Sequence, residues 1–545
     1  MDQGCMISTR TKEHRLGFAI FQDMNFFTKV CSLTILCVSA IFANPFDLHW
    51  SITANEISQP LFRAKTFAAP HGCATADIYS SSCTNDSVAD IYGSDWFALR
   101  IPLENGLAYE QLPGMLTLTM SANIDSTLEF KTVLPFRRDL EAWYTDPLGS
   151  SWFTQGSELD INQPEEGYFL WNNRAGFVKM GRFKPDMGPS PNSIALGSGV
   201  PYHDAIWWHV AIGVARFDWF LSSLNPTLEG TPDSVGGQAP VGSEAWQQSH
   251  YTTPNQRNRS YTEPEKTLLL HRVGWDASWG WFAMIEQELI GGKALAPRDF
   301  NPFTVWHDQF SDGYSKSSLT AELGIRPHAG TKIYGQLDYE DIDSPVGETS
   351  GATAPTTYSY LVGWRQDYRK DSTLTLWSRL DYVYTDPDIN NAHLPLLRMT
   401  SRILYRSNFR NQTASNFADS YIVDYPLGYR RGPDSKDLWF DLGFESIRHH
   451  FGGTFELAYL RQGDKNLWTS WDTASVYSSG APSGIVETDK RGWISGWMKP
   501  WQKGPWSLAV NGGFGLRYLE NQDHVQGANG WDIGWSLGMT CNVGE

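Results

Sequence analysis

The sequence predicts an all-β chain: a transmembrane antiparallel β-barrel of about 18 strands, preceded by a short N-terminal periplasmic segment. Three observations carry that expectation. The 545 residues include 24 Trp, 23 Tyr and 28 Phe, while only 19% are charged, against roughly 25% in an average soluble protein. The longest uncharged apolar run, 30–43, has 14 residues, short of the about 20 a spanning helix needs. From residue 115 onward, large apolar and polar side chains alternate with period two, the signature of strands with two unlike faces.

The elements follow in chain order. Lys29 precedes the apolar run, which has the length of a signal-peptide core, and Ser39, Ile41 and Ala43 approximate a small-residue cleavage pattern. Residues 1–43 are expected to be a signal peptide, with Met24 as an alternative start that is tidier than Met1. Its removal takes four basic and three acidic residues and moves the net charge from -17 to -18. Either value argues against a generally basic nucleic-acid binder, which needs a cationic face. Three of the six cysteines leave with this segment. Cys73 and Cys83 stand close together in a Ser- and Asp-rich stretch and are a candidate disulfide in an oxidising compartment. Residues 44–110 lack clear alternation and are expected to form a periplasmic segment or plug, with 111–545 as the barrel and its long extracellular loops.

Within 111–545 the alternation is plainest near the end. Trp531, Ile533, Trp535, Leu537, Met539 and Cys541 share one face, while Asp532, Gly534, Ser536, Gly538 and Thr540 share the other. The segments read as nine hairpins. They are 116–124 with 127–135, 166–172 with 175–183, 205–213 with 214–224, 266–277 with 279–289, and 317–326 with 330–340. The rest are 356–369 with 372–384, 397–410 with 435–448, 451–462 with 490–500, and 505–518 with 529–543. Strands of about 9–11 tilted residues cross a bilayer, apolar side outward. Lipid leaves no water for an unpaired edge, so such a sheet must close.

Motifs for chemistry are sparse. There is no HExxH, P-loop, GxSxG or strand-to-helix GxGxxG, so no enzyme and no cofactor is expected. The sharpest local pattern is Arg398, Arg402, Arg406 and Arg410, which even offsets place on one strand face. As a lumen ladder they suit carboxylate or phosphate groups. Asp437, Asp441 and Glu445 repeat with the same spacing on the following strand, so internal pairing of the two ladders competes with ligand contact. Asp338, Glu340, Asp341 and Asp343 crowd one strand end and read as a solvated acidic loop rather than a cation site.

Several motifs together resemble the Wzi-type capsule-assembly family of outer-membrane proteins. They are Gly181-Arg-Phe-Lys-Pro-Asp-Met-Gly-Pro189, Leu196, Pro201-Tyr-His-Asp204, His271-Arg272, and Arg298-Asp-Phe-Asn-Pro-Phe303 with His307. Tyr334-Gly-Gln-Leu-Asp-Tyr-Glu-Asp341 and Arg430-Arg-Gly-Pro-Asp-Ser-Lys-Asp437 follow. The resemblance implies a non-enzymatic lectin barrel of the bacterial outer membrane that helps attach or organise capsular or exopolysaccharide, alongside polysaccharide-export partners. It adds Arg182, Asp204, His307, Gln336, Asp338, Arg430, Arg431 and Asp434 to the arginine ladder as glycan-binding or lumen candidates. Gly181, Gly188, Pro189, Gly432 and Pro433 are read more simply as backbone geometry. A porin or oligosaccharide-diffusion channel is the competing reading, and a membrane hydrolase a third.

Overall fold

The computed structural model of the chain describes residues 47–58, 98–112, 114–124, 127–140, 143, 160, 164–225, 265–292, 294–303, 315–340, 356–369, 373–392, 395–406, 420–467, 469 and 480–544. The chain divides into two compact units, Met1–Asp47 and Leu48–Glu545, and the second carries the features below. The signal segment, Cys73, Cys83, His307 and Arg410 lie outside the described residues.

The wall begins with β1 (Asp47–Ser58). Next come β2 (Ala98–Arg100) and α1 (Leu103–Glu110), which stand apart from the wall. A meander then runs through β3 (Leu116–Asn123), β4 (Leu128–Phe136), β5 (Glu166–Asn173), β6 (Gly176–Phe183), β7 (His203–Ile212) and β8 (Ala215–Leu224). It continues with β9 (Lys266–Ala277), β10 (Gly280–Gly291), β11 (Ser315–Ile325), β12 (Thr331–Glu340), β13 (Thr357–Arg369) and β14 (Leu374–Thr385). After β15 (Thr400–Arg406) and β16 (Ser420–Pro426) it resumes as β17 (Ser435–Ser446), β18 (Phe451–Gln462), β19 (Glu487–Lys503), β20 (Trp506–Glu520) and β21 (Gly530–Gly544). β14 pairs directly with β17. β1 pairs antiparallel with β21 and also meets β3, so the pairings of the 18-stranded sheet return on themselves.

Side-chain burial inverts the rule of soluble proteins. On β11, Lys316, Ser318, Thr320 and Glu322 are buried, while Leu323 and Ile325 on the other face are exposed. On β12, Tyr334, Gln336, Asp338 and Glu340 are buried and Ile333, Leu337 and Tyr339 exposed. Trp531, Ile533, Trp535, Leu537 and Met539 of β21 are all exposed. An apolar outside around a polar inside is stable only with lipid as the outer solvent. Asp338 and Glu340 thus belong to the inner wall rather than to a solvated acidic loop.

Hairpin turns at one end have no more than five residues, such as 174–175, 213–214 and 504–505, whereas connections at the other run from nine residues upward. Short turns mark the periplasmic end of such barrels, and longer loops the outside. Gly213 and Gly504 supply the positive φ (both 59°) that two-residue turns demand. Gly181 has φ 129°, and a Cβ there would sit 2.3 Å from the Gly167 carbonyl oxygen, so its place in the motif is geometric.

Two expectations are corrected. The segment 397–410 is not a wall strand: β15 pairs with β16, and β16 runs parallel to β2, in a separate three-stranded sheet. Both faces of β15 are covered, with Ser401, Arg402 and Ile403 all under 5% exposed, because protein rather than lipid lies against its apolar side. The missing wall strand is β1, inside a stretch expected to be irregular. β1 runs from the short-turn end to the long-connection end, where β3 begins, while β2 and α1 join the plug.

Candidate functional site

The lumen is occupied by the chain itself. Residues 184–202, between β6 and β7, and the described residues 386–392, 395–406 and 420–434, between β14 and β17, fold against the inner wall together with β2 and α1. Their apolar side chains meet the inward Phe220, Leu268, Leu270, Ile285 and Leu289 in one buried cluster that includes Tyr109, Leu196, Val200, Ile403, Val423 and Tyr425. Aliphatic residues on the inner face of β8–β10 thus have a role that a water-filled pore would not give them.

Polar wall residues hold the rest of this plug. Ile194 N donates to Gln336 Oε1 at 2.9 Å and Asn390 N to Glu340 Oε2 at 2.7 Å. Asn192 Nδ2 donates to Asp381 at 2.9 Å, and Tyr334 Oη to the same carboxylate at 2.6 Å. Lys266 Nζ of β9 donates to the Arg398 carbonyl at 2.8 Å and to Thr400 Oγ1 at 3.1 Å. Trp439 Nε1 donates to Tyr429 Oη at 2.8 Å, and Tyr429 Oη to Asp437 at 2.7 Å. Near α1, Arg137 lies 3.0 Å from Glu110 and 2.9 Å from Asp160. Asp381, Asp437, Glu340 and Asp160 each receive donors, the condition under which a buried charge is tolerated.

The sequence candidates fall into this scheme. Arg402 forms a two-pronged pair with Asp424 of β16, at 2.8 and 3.1 Å. Arg398 Nε donates to Asn391 Oδ1 at 3.2 Å. Arg406 ends β15. The carboxylate ladder is engaged elsewhere: Asp437 faces Arg431 at 2.9 Å, and Asp441 is bound by Arg379. Asp434 accepts from Ser483 N at 2.8 Å and Lys465 N at 3.1 Å. Gln336 also donates to Glu322 at 2.9 Å, and Asp338 accepts from Thr320 Oγ1 at 2.7 Å. Arg182 and Asp204 pair through both prongs at 2.8 Å on the outer face shared with the exposed Met180. Arg430 differs. It lies over the Trp439 ring at 4.1 Å and has no hydrogen bond or ion pair among the described residues. Burial lowers its pKa, aided by the charges of Arg491 and Arg379 and opposed by Tyr429 and Glu456.

A second feature was not legible as a site. At the short-turn end a cavity of about 410 Å³ lies between β6–β12 and the plug residues Asp186–Pro189. Asp218 accepts from Trp207 Nε1 at 2.9 Å and lies 3.4 Å from Arg272, which reaches Glu322 at 2.9 Å. Glu322 in turn accepts from Trp281 Nε1 at 2.9 Å. Of the lining residues, Asp186–Pro189 and Arg272 stood in sequence motifs, whereas Trp207, Asp218, Trp281 and Glu322 did not. Inward alternation was the available signal, but it cannot say which strands converge. No group of residues that could hold a metal ion occurs among the described residues.

A ring of antiparallel strands with an apolar exterior, a polar interior and short turns at one end defines an outer-membrane β-barrel protein, here with a folded plug. No family model matches the chain, and no curated protein matches it. Among solved structures it is similar to Wzi of Escherichia coli, described as a carbohydrate-binding β-barrel involved in group 1 capsule assembly. That likeness covers 94% of this chain and 87% of Wzi, at 12% identity and a TM-score of 0.47. OccAB1 of Acinetobacter baumannii matches over 92% of this chain and 96% of its own, at 8% identity and TM-score 0.38. OprD of Pseudomonas aeruginosa matches over 92% and 94%, also at 8% and 0.38. At such distances no residue role or ligand is transferred.

Proposed function

We propose that this protein is a non-enzymatic barrel that binds and helps attach or organise capsular or exopolysaccharide at the outer surface. The observation that supports this reading is the plug: a hydrogen-bonded, partly apolar fold filling much of the lumen suits a binding scaffold better than a diffusion path. Arg430 is the sequence candidate best suited to ligand contact, because its guanidinium pairs with no carboxylate among the described residues. The test compares labelled-polysaccharide retention on intact cells carrying the wild type, Arg430→Gln, or no protein, alongside single-channel conductance of the purified barrel. Retention that depends on the protein, with little conductance, is expected. Equal retention with and without the protein would overturn the reading.

A diffusion channel is the second reading, and one observation favours it. Inward residues of β3–β5 and β19–β21, such as Ser121, Lys131, Glu166, Arg491 and Arg517, are only half-buried. Steady conductance with solute selectivity would establish that reading instead.

A further inference from the structure

The cavity at the short-turn mouth has the features of a ligand site. Its volume of about 410 Å³ lies within the roughly 300–1,000 Å³ of small-molecule pockets. Its aromatic walls are fixed in place. The indole N–H groups of Trp207 and Trp281 are both taken up by carboxylates, Asp218 and Glu322, which Arg272 ties together. Trp281 lies flat across the neighbouring strand, where a Cβ on Gly324 would fall 2.1 Å from its ring, and the Arg326 guanidinium lies over it at 4.6 Å, so Trp281 backs the wall while Trp207 and Phe177 line it. Phe177 stands edge-on to Trp207 at 5.0 Å.

Charge narrows the ligand class. Four cations line the cavity (Arg216, Arg272, Arg326, Lys332) against four carboxylates (Asp186, Asp218, Asp276, Glu322). Arg272 is held by Asp218 and Glu322, and Arg326 by Asp276 at 2.8 Å. The formal charges balance, so an anion or a cation entering here meets no net opposite field. A ligand with apolar ring faces and neutral hydroxyl edges needs none: its faces lie against Trp207 and Phe177, while its hydroxyls reach rim groups. Two rim groups are open for that purpose. Lys332 and Asp186 are exposed and have no ion pair among the described residues.

We propose that this cavity binds a neutral sugar unit of about one or two rings, entering from the periplasmic side. The plug residues Asp186–Pro189 roof it, so the sugar docks there rather than passing through. This site is separate from any surface glycan contact and does not depend on the surface reading.

The experiment uses the purified full-length barrel in detergent, with glucose, galactose, mannose, maltose and lactose as probes and glucuronate as the charged control. Binding is read by ligand-observed NMR and calorimetry. Saturable binding of at least one neutral sugar is expected, with glucuronate weaker. Trp207→Ala is expected to weaken it about tenfold, the scale of one lost stacking contact. Lys332→Trp, on the exposed rim, is expected to block entry while leaving heat-resistant barrel migration on electrophoresis unchanged. Absence of saturable binding by all five neutral sugars overturns the proposal, as does unchanged affinity in Lys332→Trp or tighter binding of glucuronate. Loss of polysaccharide retention on intact cells tests only the surface reading, so the two fail separately.

Discussion

Two sides of the same lumen treat the same chemistry differently. On the plug side, Lys316 and Glu340 lie 3.0 Å apart with 4% and 1% of their side chains exposed. Across the barrel, Lys131 and Glu166 lie 2.8 Å apart with 32% and 28% exposed. The shorter pair contributes less. Water around Lys131 already solvates both charges, so the pair adds about 0–1 kcal/mol. Around Lys316 the plug has displaced water, and losing either partner strands a buried charge. Cover, rather than distance, sets what an ion pair is worth.

The largest break in that contrast comes from removing the cover. Thr385 and Ser435 are already register partners across β14 and β17, so a two-residue turn can replace 386–434. Single-channel recording is expected to show conductance rising from near zero to that of an open pore. Unchanged conductance would mean that the half-buried side already carries the current.

A single-residue version acts inside the plug. Asp424→Ala leaves Arg402 buried without its carboxylate, a loss of about 3–5 kcal/mol in local stability. Amide exchange in β15 and β16 is expected to quicken by orders of magnitude while the wall strands stay protected. Lys131→Met on the open side is expected to change exchange or unfolding by less than about 1 kcal/mol. Comparable effects from the two substitutions would erase the distinction.

The smallest effect concerns pH at the start of the plug. Asp386, just past β14, accepts from Tyr358 N at 2.9 Å and from Tyr384 Oη at 2.8 Å. Burial raises its pKa from 3.8 to about 6, although both hydrogen bonds act to lower it and Asp388 and Asp434 add to the rise. The folded form therefore keeps its proton between about pH 4 and 6 while the unfolded form releases it. Stability from this group is present below that window and is lost as pH rises through 6. Exchange at 386–391 is expected to slow as pH falls from 7 to 5, after correction for intrinsic rates, and Asp386→Asn to flatten the dependence.

Eight of the nine hairpins read from alternation match wall pairings, and the strand number agrees for a less comfortable reason. One wall strand was missed and one plug strand was taken for wall, so the errors cancel. β1 did carry a signal: Leu48, Trp50, Ile52 and Ala54 alternate with His49, Ser51, Thr53 and Asn55. A single alternating run of this length is weak evidence where no second run follows to pair with it. β15 was misplaced because period two reports that a strand has two unlike faces, without saying what covers the apolar one. The arginines were legible as an aligned set, but Asp424 as the partner of Arg402 was not, since that choice depends on which strand folds beside β15.

By itself, then, the sequence determined the barrel: an alternating pattern repeated along the chain specifies strands, and strands with apolar faces and few charges specify a lipid-facing wall. Those properties are local, read over ten residues at a time. The tertiary structure alone decided that one side of the lumen is filled, that Arg402 is paired within the plug while Arg430 has no ion pair among the described residues, and that Trp207 and Trp281 converge on one cavity. These outcomes join residues from different strands: Arg272 of β9 ties its register partner Asp218 on β8 to Glu322 on β11, two strands further on, and only the registers of the folded sheet bring them within reach.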